Sequence, residues 1–365
     1  MARIAILAPT LASADAVSSD ALGMRELLTG RGHEVQLFAD DWSLLAGGVR
    51  HSSRTLSFLQ NDDDVLIYHH SIGWDDGIDI LQEARCTTVV KYHNVTPSKF
   101  FEGISPSHQR LCDKGRFQIR VIARSDHDLY LAASAFNLGE LVAEGASTAR
   151  AFVVPPFNKV DVLQSVEADL EIIDKYADGK TNLLMVGALR PSKNHLALIE
   201  AFATYYYDFD CNSRLFIVGV ESDAFGTYSK SLKELTEFLC LEDRVVFTGE
   251  VSLDALKAYY LLSNCFLMTS DHEGFCVPLV EAMALKVPIV AYGSTAVPET
   301  VNGAGLVWPE RNPLLMAQSI DYLVHNQSAA VRLAITAYQR YEQKFSNKTI
   351  ERQFLDALLQ AGLEL

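Results

Sequence analysis

The sequence predicts an α/β protein built on two doubly wound parallel sheets, and three observations carry that expectation. Its 365 residues exceed one average core, and ~150 residues per domain implies two. Its strand-like segments are continuous apolar runs rather than alternating ones, the pattern of strands covered on both faces. Amphipathic stretches of helical period separate those runs, so strand and helix alternate along the chain.

Taken in order, "RIAILAP" reads as the first buried strand and "DALGMRELLTGRGH" as a helix closed by Gly30 or Gly32. "EVQLFA", "DVLIYHH" and "TTVVKYH" follow as strands, and "SPSHQRLCDKGRFQIRVIA" as a helix. "LYLAAS" and "AFNLGELVAEG" give strand then helix, and "AFVVPPF" closes the first half at residue 157. Residues 158–180 are acidic and helical in pattern and are expected to link the halves. A second series runs over 181–337, from "TNLLMVGAL" through "RLFIVGV", "RVVFTG" and "NCFLMTS" to "PIVAY". The helical segment 338–365 is expected to cross back to the first domain. Two such sheets place a ligand cleft at their carboxyl strand ends, between the domains.

Composition excludes several classes. The apolar fraction of 49% and charged fraction of 21% are those of a soluble globular protein. No apolar run reaches the ~18 residues of a membrane span, and "MARIAILAPT" is a poor signal peptide, so a cytoplasmic protein is expected. A net charge of −15 argues against a general nucleic-acid binder. The six cysteines are scattered without metal spacing and read as free thiols. One basic stretch, 99–124, holds Lys99, Arg110, Lys114, Arg116, Arg120 and Arg124 interleaved with Phe100, Phe101, Phe117 and Ile119. It reads either as a solvated helix face or as a peripheral contact with an anionic membrane.

Chemistry concentrates in a few places. In "EGFCVPLVE", Glu273 and Glu281 stand eight positions apart, about 12 Å if both were helical. That exceeds the ~5–9.5 Å of a hydrolytic carboxylate pair and suits two ends of an elongated ligand. A loop glutamate plus a solvent-facing helical one fits the spacing equally well. "VGALRPSKNH" places Arg190 and Lys193 between a strand end and a helix start, a setting that suits a diphosphate. Neither GxxxxGK[ST] nor GxGxxG occurs. "GSTAVPETV" offers small residues whose amides can approach phosphate, and Thr248 and Gly249 of "VVFTGEV" can approach a flat base. "KYHNVTP" sets His93 and Asn94 just past a strand. The triplets Asp62–Asp64, Asp126–Asp128 and Asp208–Asp210 formally match D-x-D, but none pairs with a phosphate loop, so no metal is expected.

Together these motifs resemble the retaining family 4 glycosyltransferases, which have the two-domain GT-B fold. "EGFCVPLVE" matches the family's E-x7-E signature, "VGALRPSKNH" its phosphate motif, and the similarity covers Asn182 to Trp308. "YHNVTP" and "SADAVSSDALGMRELLTGRGHEVQLFA" look like a bacterial subgroup that builds surface polysaccharides such as lipopolysaccharide, often from nucleotide-linked mannose.

The resemblance implies a metal-independent hexosyltransferase that needs no cofactor beyond its donor, GDP-mannose first and a UDP-sugar second. The acceptor would be a glycan or lipid-linked glycan, with other glycan-assembly enzymes as neighbours. Lys193, with Arg190 and Gly187 nearby, would bind the diphosphate. Glu273, with Gly274, Phe275 and Cys276, would hold the donor sugar, and Glu281 the ribose. Thr295, Ala296 and Val297 would offer amides to phosphate. His93 would face the reacting sugar, and Asp15, Ser18 to Asp20 and Asn94 are candidate acceptor contacts. Ala188 departs from the pattern, because many relatives have Arg there. The competing readings are a GT-B sugar-nucleotide epimerase or hydrolase and an inactive module of a glycan-assembly complex.

Overall fold

The computed structural model describes residues 2–12, 15–43 and 48–365. It divides into two compact units, each with its own parallel sheet. The first unit comprises Met1–Lys99, Ser107–Lys159 and Asn347–Leu365, and the second Phe100–Pro106 and Val160–Ser346.

The first unit's seven strands run in the order Val49–His51, Glu34–Ala39, Arg3–Leu7, Val65–His70, Thr87–Tyr92, Leu129–Ala132 and Ala151–Val153. Every pairing is parallel, as the continuous apolar runs require. The helix Ala16–Gly30 covers one face, burying Ala21, Met24 and Leu28. Asp15 caps it, accepting from the Ser18 amide at 3.0 Å. Past its end Gly32 takes φ +93°, a left-handed conformation that suits glycine.

The second unit's sheet has six strands in the order Val245–Gly249, Ser213–Val218, Thr181–Val186, Cys265–Met268, Ile289–Tyr292 and Leu306–Trp308. Chain order runs outward from Thr181–Val186 on one side and restarts on the other with Cys265–Met268. That reversal is a topological switch point, and ligands of open α/β sheets bind at the carboxyl ends of the strands flanking it.

Three boundaries differ from the sequence expectation. Residues 158–180 are not a free linker, because the helices Val160–Ser165 and Leu170–Tyr176 pack into the second unit. Lys257 Nζ donates to the Gln164 and Val166 carbonyls at 2.7 and 2.6 Å, and the Arg214 guanidinium lies 4.7 Å from the Tyr176 ring centre. The cut at 337/338 falls inside the helix Gln327–Lys344, whose Tyr341 hydroxyl donates to Asp161 at 2.8 Å. The change of unit comes instead at Ser346/Asn347. From there the helix Asn347–Gln360 buries Ile350, Phe354, Ala357 and Leu358 in the first unit's core. Last, Phe100–Pro106 counts with the second unit, where Phe101 stacks on Phe225 at 5.5 Å.

Candidate active site

The second unit's candidate residues gather on the loops that leave the two switch-point strands. After Thr181–Val186 the chain passes Gly187, makes a single turn at Pro191–Lys193, and enters the helix His195–Asp208. After Cys265–Met268 it forms the loop that carries Glu273 and then the helix Val277–Ala284. Hydrogen bonds stitch the loops together. The Asp271 amide donates to the Ser192 carbonyl at 2.9 Å, the Thr269 hydroxyl to the Asn194 carbonyl at 3.1 Å, and the Asn194 amide group to Asp271 at 3.1 Å. Arg311 clasps the same Asp271 carboxylate at 2.5 Å.

This frame brings Lys193 Nζ to 2.6 Å from Glu273 Oε1, with the carboxylate buried and the lysine one-fifth exposed. Burial works against the Lys193 charge, but the Glu273 carboxylate, then the Cys276 sulfur, hold its pKa above the ordinary value. Lys193 is therefore a cation at any physiological pH. Arg190 is exposed, its guanidinium 5.9 Å from the Phe225 ring centre.

The neighbouring groups are held as firmly. Glu273 N donates to Thr295 Oγ1 at 2.8 Å, and that hydroxyl donates to the Glu273 carbonyl at 2.7 Å. Ala296 N leans on the same carbonyl at 3.4 Å and Val297 N is committed to Ser294 O at 2.8 Å. An amide contact to a ligand in this loop therefore falls to Thr295, which adopts φ +42°. Phe275 turns its ring into the core against Phe345 at 5.4 Å. Cys276 adopts φ +78° as the helix cap. Burial and then Glu273 push its thiol well above the ordinary range, so it is no nucleophile.

Glu281 lies on the following helix and accepts from the Tyr260 hydroxyl at 2.7 Å. Burial raises its carboxyl above the usual range, while Tyr260 pulls it back. Thr248 Oγ1 donates to the Gly249 carbonyl at 3.0 Å, and Gly249 takes φ +70°. Beside them Gly219 completes a row of backbone at the strand ends. A Cβ there would lie 2.0 Å from Gly187 O, so only glycine fits.

In the first unit His93 belongs to a buried polar cluster. His69 and Lys91 are register partners on adjacent parallel strands, and Asp20 comes from the helix covering that face. Asp20 Oδ2 stands 3.4 Å from His93 Nε2, 3.6 Å from Lys91 Nζ and 3.9 Å from His69 Nδ1. Asp20 Oδ1 accepts from the Phe157 amide at 2.8 Å, and Lys91 also donates to the Val154 carbonyl. Burial, then the neighbouring His69, Lys91 and His70, push His93 well below the usual histidine range, and His69 goes down to about 3 through burial and Lys91. Asp20, His69 and His93 stand close enough to share a metal ion, yet the Lys91 ammonium already balances Asp20, and a second cation beside it would be repelled.

The acceptor candidates fare differently. Asp20 is fully buried and cannot touch an acceptor. Asp15 and Ser18 cap their helix, with Ser18 Oγ donating to Asp15 at 2.9 Å and accepting from Ala12 N at 2.8 Å. Asn94, at φ +81°, donates to Asn137 at 3.0 Å and Glu140 at 2.6 Å. The acidic triplets fix turns: Asp64 accepts from the Arg3, Gln60 and Asn61 amides, Asp128 from Thr88, and Asp210 from Thr181 and Asn212.

Sequence reasoning passed over Tyr260, Gly219, Asp271, His69 and Lys91. The last two carried a signal, since "VLIYHH" and "VVKYH" put charge-capable residues inside strands buried on both faces.

Residues 170–340 match the model of the glycosyl transferases group 1. That stretch is just under half of the chain, and over it the chain is similar to that family. It is similar to a GDP-mannose-dependent alpha-(1-6)-phosphatidylinositol monomannoside mannosyltransferase of Mycobacterium tuberculosis, 28% identical over 52% of this chain and 51% of that one. O-antigen chain mannosyltransferase B of Escherichia coli is 31% identical over 34% of this chain and 32% of its own length. The chain thus spans about half the length, or less, of these relatives. Among solved structures, Anabaena HepE in complex with UDP and glucose superposes with a TM-score of 0.77 at 16% identity, covering 98% of this chain and 100% of that one. WaaG, a glycosyltransferase involved in lipopolysaccharide biosynthesis, gives 0.74 at 13% identity over 98% and 100%. These likenesses show the fold alone, which is that of GT-B glycosyltransferases.

Proposed function

We propose that the chain is a retaining, metal-independent glycosyltransferase that moves a hexose from a nucleotide-diphosphate sugar to a glycan or lipid-linked acceptor. GDP-mannose is the first candidate donor, because the mycobacterial relative carries that name, and a UDP-sugar is the second, because HepE was solved with UDP and glucose.

The observation that carries the reading is the Lys193–Glu273 pair at 2.6 Å, placed by the loops of both switch-point strands. A glycosyl donor leaving its diphosphate gains positive charge on the sugar ring and negative charge on the phosphate. Lys193 meets the phosphate charge without having to protonate it, and Arg190, one turn before it, is an exposed second cation. Glu273 takes the sugar hydroxyls, with Gly274 and the backbone of Phe275 and Cys276 shaping the wall. Glu281, oriented by Tyr260, takes the ribose diol, and the Thr248–Gly249 edge with Gly187 accommodates the base and phosphate. His93 is assigned to the reacting sugar, and Asp15, Ser18 and Asn94 to the acceptor.

No helix of the described residues is long and apolar enough to cross a membrane. Peripheral contact through 99–124 has little behind it. Lys114, Arg116 and Arg120 are paired with Asp75, Glu140 and Glu144, and Phe101 and Ile119 are buried. Co-sedimentation with anionic vesicles that rises with their charge would restore it.

Turnover assays of Lys193→Ala and Glu273→Ala test the site. Each variant is expected to lose at least about 10²-fold in transfer with its fold intact, as removal of a charge-stabilising contact does. Near-normal turnover in both would remove the assignment.

A further inference from the structure

The cluster behind His93 has more structure than a lone histidine needs. His93 Nε2 lies 2.9 Å from His69 Nδ1, with ring centres 5.1 Å apart and planes 17° from parallel. Its Nδ1 makes no hydrogen bond among the described residues, and it is not one of the buried polar atoms lacking a partner. One ring nitrogen is thus taken up inside the fold and the other faces outward. Asp20 Oδ2 is fully buried without a hydrogen bond of its own and lies against both rings and Lys91. The charged or titratable groups facing His93 are Asp20 from the covering helix, His69 and His70 from one strand, and Lys91 from the next.

We infer that His69, backed by the Asp20–Lys91 pair, is a positioning residue that fixes His93 through Nε2 and leaves Nδ1 as the atom offered to a sugar oxygen. The inference rests on the proposal that His93 faces the reacting sugar. Asp20 is held by the Phe157 amide and Lys91, so its charge is balanced inside the cluster and His93 has no counter-ion to gain by protonating. Between the two facing ring nitrogens there is one proton. That proton ties the tautomers of the two rings together, so the character that His93 Nδ1 presents to a ligand is set by His69. A metal ion bridging Asp20, His69 and His93 is the competing account of the same geometry. It would replace the ring–ring hydrogen bond and set a second cation against Lys91.

Asparagine and leucine separate positioning from mere packing. An asparagine side-chain amide reaches the place of a histidine Nδ1 and can donate or accept there, whereas leucine fills the space and can do neither. Long-range proton–nitrogen NMR of the full chain, labelled at histidine and free of substrate, reads the ring nitrogens directly. In the parent protein and in His69→Asn, His93 is expected to keep one neutral tautomer from about pH 7 to 8.5, where Asp20 stays charged. In His69→Leu it is expected to show two tautomers and to titrate nearer the ordinary value of ~6.5. The kcat of His69→Leu is expected to fall about tenfold with donor KM unchanged, and that of His69→Asn to stay within about threefold.

A single unchanged tautomer in His69→Leu overturns the inference, as does a stoichiometric metal found in the purified parent protein by elemental analysis. If His69→Leu does not fold, Asp20→Asn combined with Lys91→Met takes its place. That pair keeps the shape and removes both charges, and it is expected to give a mixture of tautomers at His93. Because the NMR needs no donor, it stands even if no nucleotide sugar is turned over, so failure of the transferase reading and failure of the positioning role are told apart.

Discussion

The two units solve opposite problems with polar residues. In the second unit, Lys193, Glu273 and Glu281 stand on loops and a helix at the carboxyl ends of strands, where Glu273 is buried against a Lys193 that stays one-fifth exposed. Their geometry comes from backbone stitching between loops. In the first unit, Asp20, His69 and Lys91 lie wholly inside the fold, fully shielded from solvent. There the geometry comes from mutual charge balance, and each member depends on the others. The difference teaches that one site tolerates single changes and reports them as lost chemistry, while the other reports them as lost stability.

The largest expected effect falls on the buried cluster. Lys91→Met leaves Asp20 uncompensated and is expected to cost about 3–5 kcal/mol near pH 8. Hydrogen exchange of the strand amides 65–70 and 87–92 measures it. Adding Asp20→Asn to Lys91→Met is expected to recover most of the loss, and no recovery would mean that the two side chains do not balance each other.

The pH dependence follows. Burial pushes Asp20 from 3.8 up to about 6, against the pull of the Lys91 charge and the Phe157 amide. A raised pKa in the folded state means that folding favours the protonated acid. Its contribution is full below the unfolded value and is lost as pH rises through about 6. The shift corresponds to roughly 3 kcal/mol between pH 3.5 and 7. The Lys91→Met defect is accordingly expected to shrink as the buffer is acidified, and a defect constant from pH 4 to 8 would refute this. Next in size is the second unit's response, where Lys193→Met is expected to cost about 1–3 kcal/mol, less than Lys91→Met because Lys193 is one-fifth exposed, while abolishing most transfer. A collapse of stability would put Lys193 in the same class as Lys91. The smallest effect is Tyr260→Phe. It removes the hydroxyl on Glu281 and is expected to raise donor KM by up to about tenfold, worth about 1 kcal/mol, with kcat little changed.

What was legible in the sequence follows the same divide. Each second-unit feature is local: a glycine at a strand end, cations two and five positions before a helix start, glutamates either side of a helix cap. Such features sit next to one another in the chain, so "VGALRPSKNH" and "EGFCVPLVE" could be read as they stand. Tyr260 could not, because it reaches Glu281 from a different helix. The Asp20 cluster draws on a helix and two strands spread over more than 70 residues. Only the oddity of lysine and histidine in buried strands announced it. The misplaced boundaries have a similar cause. Nothing in the composition of 158–180 says that its helices find Lys257, and residue 337 lies within an unbroken helical period.

The account stands most directly on whether the second unit holds a nucleotide sugar through Lys193. Equilibrium binding of GDP-mannose and UDP-glucose to the parent protein and to Lys193→Met, measured by calorimetry, decides it. At least one donor is expected to bind the parent, and the variant to bind it at least about tenfold more weakly, the loss of a charge-assisted contact. Equal affinity in both proteins, or no binding by a well-folded parent across GDP-, UDP-, ADP- and dTDP-sugars, would contradict it.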